Sequence, residues 1–279
     1  MGEENTTRML GTPSKLLARA AFTCAVLVAA TALGGILMPS TYARETASWA
    51  AQGVGQDWAD LLVAVPWLLV CGALVARGSR NAELLLAGAL VYLLYSYVLY
   101  AFDVHFNSLY LLYCAVLGLS FWTLAGFGAR LVRYDRATTL PPAVPVKLTG
   151  GLLIVLALMF YALWLSEDVP ALWKGVAPAS LAEVGLVTNP VHVIDMAIVL
   201  PAMLWGGIAL LRRRLLGAAI AVVMLSFGIL MAVAIAGMVV VMSVRGVSSD
   251  LTPAFMMVIV AVTSAVVLVR FLRRSGAAW

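Results

Sequence analysis

The chain has 279 residues, 63% of them hydrophobic and 11% charged, with a formal net charge of +5. A soluble domain carries about 25% charged residues, and a water-soluble globule of this composition would expose large apolar patches, so that class is excluded. The excess of Lys and Arg falls between apolar runs and forms no single patch, which argues against a nucleic-acid surface and marks these residues as topology signals.

Residues 1–15 are polar and read as a cytoplasmic tail. A membrane helix needs about 20 mostly apolar residues. Eight such runs follow, over 16–38, 58–76, 83–101, 108–130, 148–165, 191–211, 215–243 and 252–272. They predict an all-α fold: one polytopic membrane domain of eight transmembrane helices over 16–272, with a cytoplasmic C-terminal tail at 273–279. The first run is longer than the roughly 7–15 apolar residues of a cleaved signal, so it reads as a retained helix.

With both termini in the cytoplasm, fifteen Lys and Arg residues fall on the inner side. Only Arg44, Lys174 and Arg245 fall outside, a strong positive-inside pattern. Most acidic residues fall on the outer side. The inner segment 131–147 has a proline-rich centre and reads as a linker between two halves of four helices. The halves share no evident motif, so no internal repeat is expected. Trp49, Trp58, Trp164 and Trp173 fit an outer interfacial belt, and Trp173 to Ala182 reads as a short surface helix. Ala232, Ala236 and Gly237 offer a close-packing surface in the long seventh run. Cys24, Cys71 and Cys114 lie in separate apolar runs and form no disulfide or zinc pattern.

A charge at the centre of a spanning helix is costly, and on these boundaries the middles of all eight runs hold no Asp, Glu, Lys, Arg or His. That pattern argues against a proton relay or a charged pore. The ionisable residues gather at the outer ends. Gln56 and Asp57 stand at the entry to the second helix. Asp103, His105 and Asn107 form the turn between the third and fourth. His192 and Asp195 share a face in the first turns of the sixth helix, behind Asn189 as N-cap and Pro190 at the first helical position.

Tyr95 and Tyr100 add hydroxyls on the third helix. Together, Gln56, Asp57, Tyr95, Tyr100, Asp103, His105, Asn107, His192 and Asp195 are the candidate ligand site. His105, His192 and Asp195 are the candidate metal ligands. Arg212, Arg213 and Arg214 are placed to contact anionic lipid.

The stretches GQDWADLLVAVPWLLV, LYSYVLYAFDVHFNSLYLLY and NPVHVIDMAIVLPAMLWGGIALLRRRLLG resemble a family of bacterial polytopic integral membrane proteins with no assigned activity. The resemblance covers the second to seventh helices and implies a bacterial plasma membrane and a helical fold. No cofactor is expected. The expected partners are the bilayer and a small amphiphilic ligand or a divalent cation on the outer face, with no nucleic acid. Three functions compete. The first is a binding or transport-associated protein with an outward-facing, polar-rimmed pocket. The others are a membrane-embedded metal-dependent hydrolase using the outer His and Asp residues, and a structural subunit of a membrane complex.

Overall fold

The computed structural model describes residues 15–134 and 140–275. The expected N-terminal tail lies outside the described residues except for Lys15, as do the linker centre at 135–139 and the last four residues of the C-terminal tail. Eight helices are long and apolar enough to cross a membrane. They are α1 (Lys15–Leu37), α2 (Ala47–Ala76), α3 (Arg80–Phe102), α4 (Tyr110–Tyr134), α5 (Val146–Lys174), α7 (Pro190–Leu211), α8 (Leu215–Val244) and α9 (Thr252–Ser275). A short helix, α6 (Ala179–Val184), lies between α5 and α7. The protein is an all-α, polytopic helical bundle.

Two helices extend well beyond the apolar runs. α2 starts at Ala47, not 58, and the Thr46 hydroxyl accepts a hydrogen bond from the Trp49 N–H. Its polar first half, TASWAAQGVGQD, mimics a loop in hydropathy, yet Ser48, Gln56 and Asp57 are buried and hydrogen-bonded. α5 continues past 165 to Lys174, running through Pro170. Proline there forfeits one bond, to the Ser166 carbonyl, and the helix ends on Gly175 at φ 64°, the left-handed cap glycine favours. Trp173 therefore belongs to α5, and the surface helix starts later, at Ala179.

α2 and α7 are also interrupted. Asp60–Ala64 and Asp195–Val199 each form a π-turn, in which the Val65 N–H bonds the Asp60 carbonyl and the Leu200 N–H bonds the Asp195 carbonyl. Pro66 and Pro201 follow directly.

These two interruptions correct the expectation of no repeat. At a constant offset of 135 residues, Asp60 matches Asp195, Pro66 matches Pro201, Gly72 matches Gly207 and Arg77 matches Arg212. The π-turns coincide under that offset, as do the ends of α2 and α7 and the starts of α3 and α8. The turns after them coincide in detail. Gly78 (φ 85°) and Arg213 (φ 56°) both have positive φ. Gly78 N–H bonds Val75 O as Arg213 N–H bonds Leu210 O, and Ser79 N–H bonds Leu74 O as Arg214 N–H bonds Ala209 O. Arg213 thus holds, as a non-glycine residue, the conformation that glycine supplies in the first half.

The halves are α1–α4 and α5–α9. Each contributes four spanning helices, an even number, so both repeats run the same way through the bundle. The equivalent helices α3 and α8 form the centre, being the most buried of the eight. They cross where Gly88 meets its own equivalent: a Cβ on Gly88 would lie 2.5 Å from the Val223 carbonyl oxygen and 2.4 Å from Ser226 Cβ. The Ser226 hydroxyl donates to Leu85 O across the same crossing (2.9 Å). The two equivalent helices thus meet close to equivalent positions, Gly88 and Val223.

The symmetry is incomplete. α2 packs directly on α8, and a Cβ on Gly55 would lie 2.4 Å from Met238 Cα. This is the close approach expected of the small residues near Gly237. The equivalent contact of α7 with α3 is slight.

The connections sort into two faces. One carries residues 38–46, 103–109, 175–189 and 245–251 and is rich in acidic residues. Its loops are tied together by His105 with Glu45, Asn107 with Thr41 O, and Ser48 with Glu183. The opposite face carries the turns at Arg77–Ser79 and Arg212–Arg214, and there the Arg213 guanidinium donates to Pro141 O (3.3 Å) and Pro142 O (3.5 Å). We call them the acidic and basic faces.

Candidate binding site

Because α2 begins eleven residues earlier than its apolar run, Asp57 and Asp60 are not entry residues. At 1.5 Å rise per residue, Asp60 lies about 24 Å from the Ala76 end of α2. A hydrocarbon core about 30 Å thick, measured from that end, would contain it. Asp60 is fully buried and Asp57 is 2% exposed. What is corrected is the placing of Asp57 at the entry to the helix: the polar turns that looked like a loop are helix, and they carry two carboxylates into the bundle, away from its middle.

Both carboxylates are held by tyrosines. Tyr42, in the connection after α1, donates to Asp57 Oδ2 (2.7 Å), and Tyr100 of α3 donates to Asp57 Oδ1 (2.8 Å). Tyr92 of α3 donates to Asp60 Oδ1 (2.6 Å). The Gln56 amide donates to the Tyr92 hydroxyl (2.6 Å) and to Ser96 Oγ (3.1 Å). Tyr97 and Thr31 share a hydrogen bond beside them. Asp60 Oδ2 is buried with no hydrogen-bond partner. Space for Asp57 comes from α1: a Cβ on Gly35 would lie 1.8 Å from Asp57 Oδ2. A small crevice of about 40 Å³, lined by Trp49, Gln56, Ser96, Tyr100 and Met238 among others, borders this network.

The second half builds a matching but looser site. Asp195 accepts from the Trp164 indole N–H of α5 (2.9 Å) and interacts with the Tyr95 hydroxyl of α3. The Tyr161 hydroxyl donates to the Met196 carbonyl in the π-turn (2.8 Å). His192 is buried, with Nδ1 3.0 Å from Asp168 Oδ1 and its ring 4.3 Å from the Trp164 ring. Asn189 caps the helix start, its Oδ1 accepting from the His192 N–H (3.2 Å). His192 and Asp195 thus meet through Trp164, which serves the site as well as any interfacial belt. Beside His192 a groove of about 450 Å³ runs between α5, α6 and α7, with walls that include Leu172, Val176, Leu181 and Met196 and with Asp168 and Asn189 as polar members.

The candidate residues therefore divide. Gln56, Asp57 and Tyr100 join the α2–α3 network, while Tyr95, His192 and Asp195 join the α5–α7 site. His105 stays apart on the acidic face, its Nδ1 3.1 Å from Glu45 Oε1. Asn107 accepts the Leu109 N–H and shapes the turn (2.8 Å). Asp103 ends α3, and burial pushes its carboxyl up to about 6. The two histidines have different carboxylate partners, and no group of three or more His, Cys, Asp or Glu side chains suited to a metal converges among the described residues. Arg212 and Arg214 are exposed, while Arg213 is engaged with the linker.

Asp60, Tyr42, Tyr92, Trp164 and Asp168 were not among the candidates. The signal that finds Asp60 is its match to Asp195 across the repeat. No family model, curated protein or solved structure matches the chain.

Proposed function

We propose that this integral membrane protein is a carrier of the bacterial plasma membrane, built from two parallel four-helix repeats, with its basic face and both termini in the cytoplasm. It takes a small or amphiphilic solute from the acidic face. The observation that carries this reading is the duplicated Asp–π-turn–Pro segment, which presents a carboxylate to the central helix α3 from each half. Interrupted helices at corresponding positions of two repeats are the sequence mark of transporter binding sites. A π-turn also frees a backbone carbonyl inside the bundle, as at Met196.

The unequal packing of the halves supports motion: Asp60 is sealed under α1, α3 and α8, while in the second half His192 and Met196 line an open groove. The apolar walls of that groove suit an amphiphile. Among the described residues no His, Cys, Asp and Glu group forms a metal-ligand set, so nothing there favours a metal-dependent hydrolase.

Ser96 lines the crevice at the end of the network. In a cysteine-free background, Ser96→Cys in sealed vesicles is expected to react with a membrane-impermeant thiol reagent applied to either face. A carrier exposes its centre alternately, whereas labelling from one face only would count against the reading.

A further inference from the structure

We propose that Asp57 and Asp60 together bind one exchangeable proton, drawn from the acidic face through the crevice beside Tyr100. The proposal rests on the carrier reading and deepens it by naming the coupling ion.

The two carboxylates lie on one face of α2, three residues apart, and no Lys, Arg or His among the described residues lies within ion-pair distance of either. The titratable groups facing them are Tyr42 from the connection after α1, Tyr92, Tyr97 and Tyr100 from α3, and Tyr113 from α4. α1 faces Asp57 with Gly35 and places Thr31 on Tyr97, and α8 carries no titratable side chain along its length. Every such neighbour is a weak acid, and none supplies positive charge. Two bare charges in such a core are costly, and paired carboxylates without a cation relieve that cost by sharing a proton.

Geometry assigns the roles. Asp57 accepts one tyrosine hydroxyl on each oxygen, so it is equipped to keep the negative charge. Asp60 takes the Tyr92 hydroxyl on Oδ1, with the Gln56 amide also near, and its buried Oδ2 has no partner, so it is the member that carries the proton.

The route is short. Tyr100 lines the crevice and also donates to Asp57. A crevice of about 40 Å³ has room for a water molecule. The step is a proton transfer: a hydronium ion in the crevice loses one O–H bond, the Tyr100 hydroxyl takes that proton and gives its own to Asp57 Oδ1, and the new Asp57 O–H bond then breaks as one forms on Asp60, so that one negative charge is cancelled. No electron moves.

Infrared spectroscopy of the protein in lipid tests this. Wild type at neutral pH is expected to show the C=O stretch of a buried carboxylic acid. The band should vanish in Asp60→Asn and persist in Asp195→Asn. Its hydrogen–deuterium exchange should slow at least tenfold in Tyr100→Phe. A wild-type band that Asp60→Asn leaves intact overturns the proposal. Should Asp60→Asn not fold, ¹³C-aspartate labelling of wild type decides: no isotope-shifted carboxylic-acid band also overturns it. The thiol labelling of Ser96→Cys is read separately. A carrier lacking this proton site would label from both faces and show no such band.

Discussion

Gly35→Ala should damage the α2–α3 network through one steric event. The new methyl would stand 1.8 Å from Asp57 Oδ2, 2.7 Å from Asp57 Cγ and 2.9 Å from the Tyr42 hydroxyl. The carboxyl group must leave, and with it go the hydrogen bonds from Tyr42 and Tyr100. Hydrogen bonds to an ionised group contribute about 1.5–3 kcal/mol each, while alanine regains about 1 kcal/mol of helix propensity. The net loss is therefore about 2–5 kcal/mol.

Cys24 and Cys71 are buried and provide the assay: their reaction with a thiol-sensitive fluorophore reports unfolding in detergent, with the exposed Cys114 changed to Ser. The control is the double-mutant cycle with Asp57→Ala, which removes the clashing group. Gly35→Ala should then be nearly harmless. An equal loss in both backgrounds, or less than about 0.5 kcal/mol in wild type against the ordinary scatter of neutral substitutions, would refute the reasoning.

Other expectations follow from single sites. The Asp103 carboxyl is pushed up to about 6 from its ordinary value of 3.8. A raised acid stabilises the fold below pH 3.8 and loses that contribution as pH climbs through about 6. Asp103→Asn should therefore stabilise at pH 7 by no more than about 1 kcal/mol, after solvent screening of a half-exposed group, with the gain gone at pH 4 in denaturation midpoints. Gly78→Ala should lose about 1 kcal/mol in the same assay, because φ is 85° there. Arg213→Gly, at the equivalent position, should be neutral or stabilising if the turn strain outweighs its contacts with Pro141 and Pro142. Val193→Trp should fill the groove beside His192 and reduce co-purified amphiphile in native mass spectrometry. Undiminished amphiphile would place its binding elsewhere.

Hydropathy made the eight spans legible because lipid imposes one requirement, a helical stretch of about 20 apolar residues. It misplaced α2 and α5 where the helix carries polar side chains that find partners inside the protein. Gln56 and Asp57 look like a loop until Tyr42, Tyr92 and Tyr100 arrive from other segments, and those encounters are long-range. Asp195 and His192 could be read as one face by their spacing, but the indole that joins them comes from α5.

The repeat was hidden for a different reason. Only a few chemically distinctive positions, such as Asp60/Asp195, Pro66/Pro201 and Gly72/Gly207, coincide against an apolar background in which most residues are interchangeable. The π-turn that unites them is a backbone feature with no hydropathy signature. The positive φ shared by Gly78 and Arg213 crosses residue types altogether.

The carrier reading requires the two halves to move against each other. Spin labels at Arg77 and Arg212 report the basic face, and labels at Phe106 and Val187 report the acidic face; all four positions are exposed. Pulsed-EPR distances in lipid should show two populations on each face, with the short distance on one face accompanying the long distance on the other as pH is changed. A single, pH-independent distance on both faces would contradict a carrier built from two moving repeats.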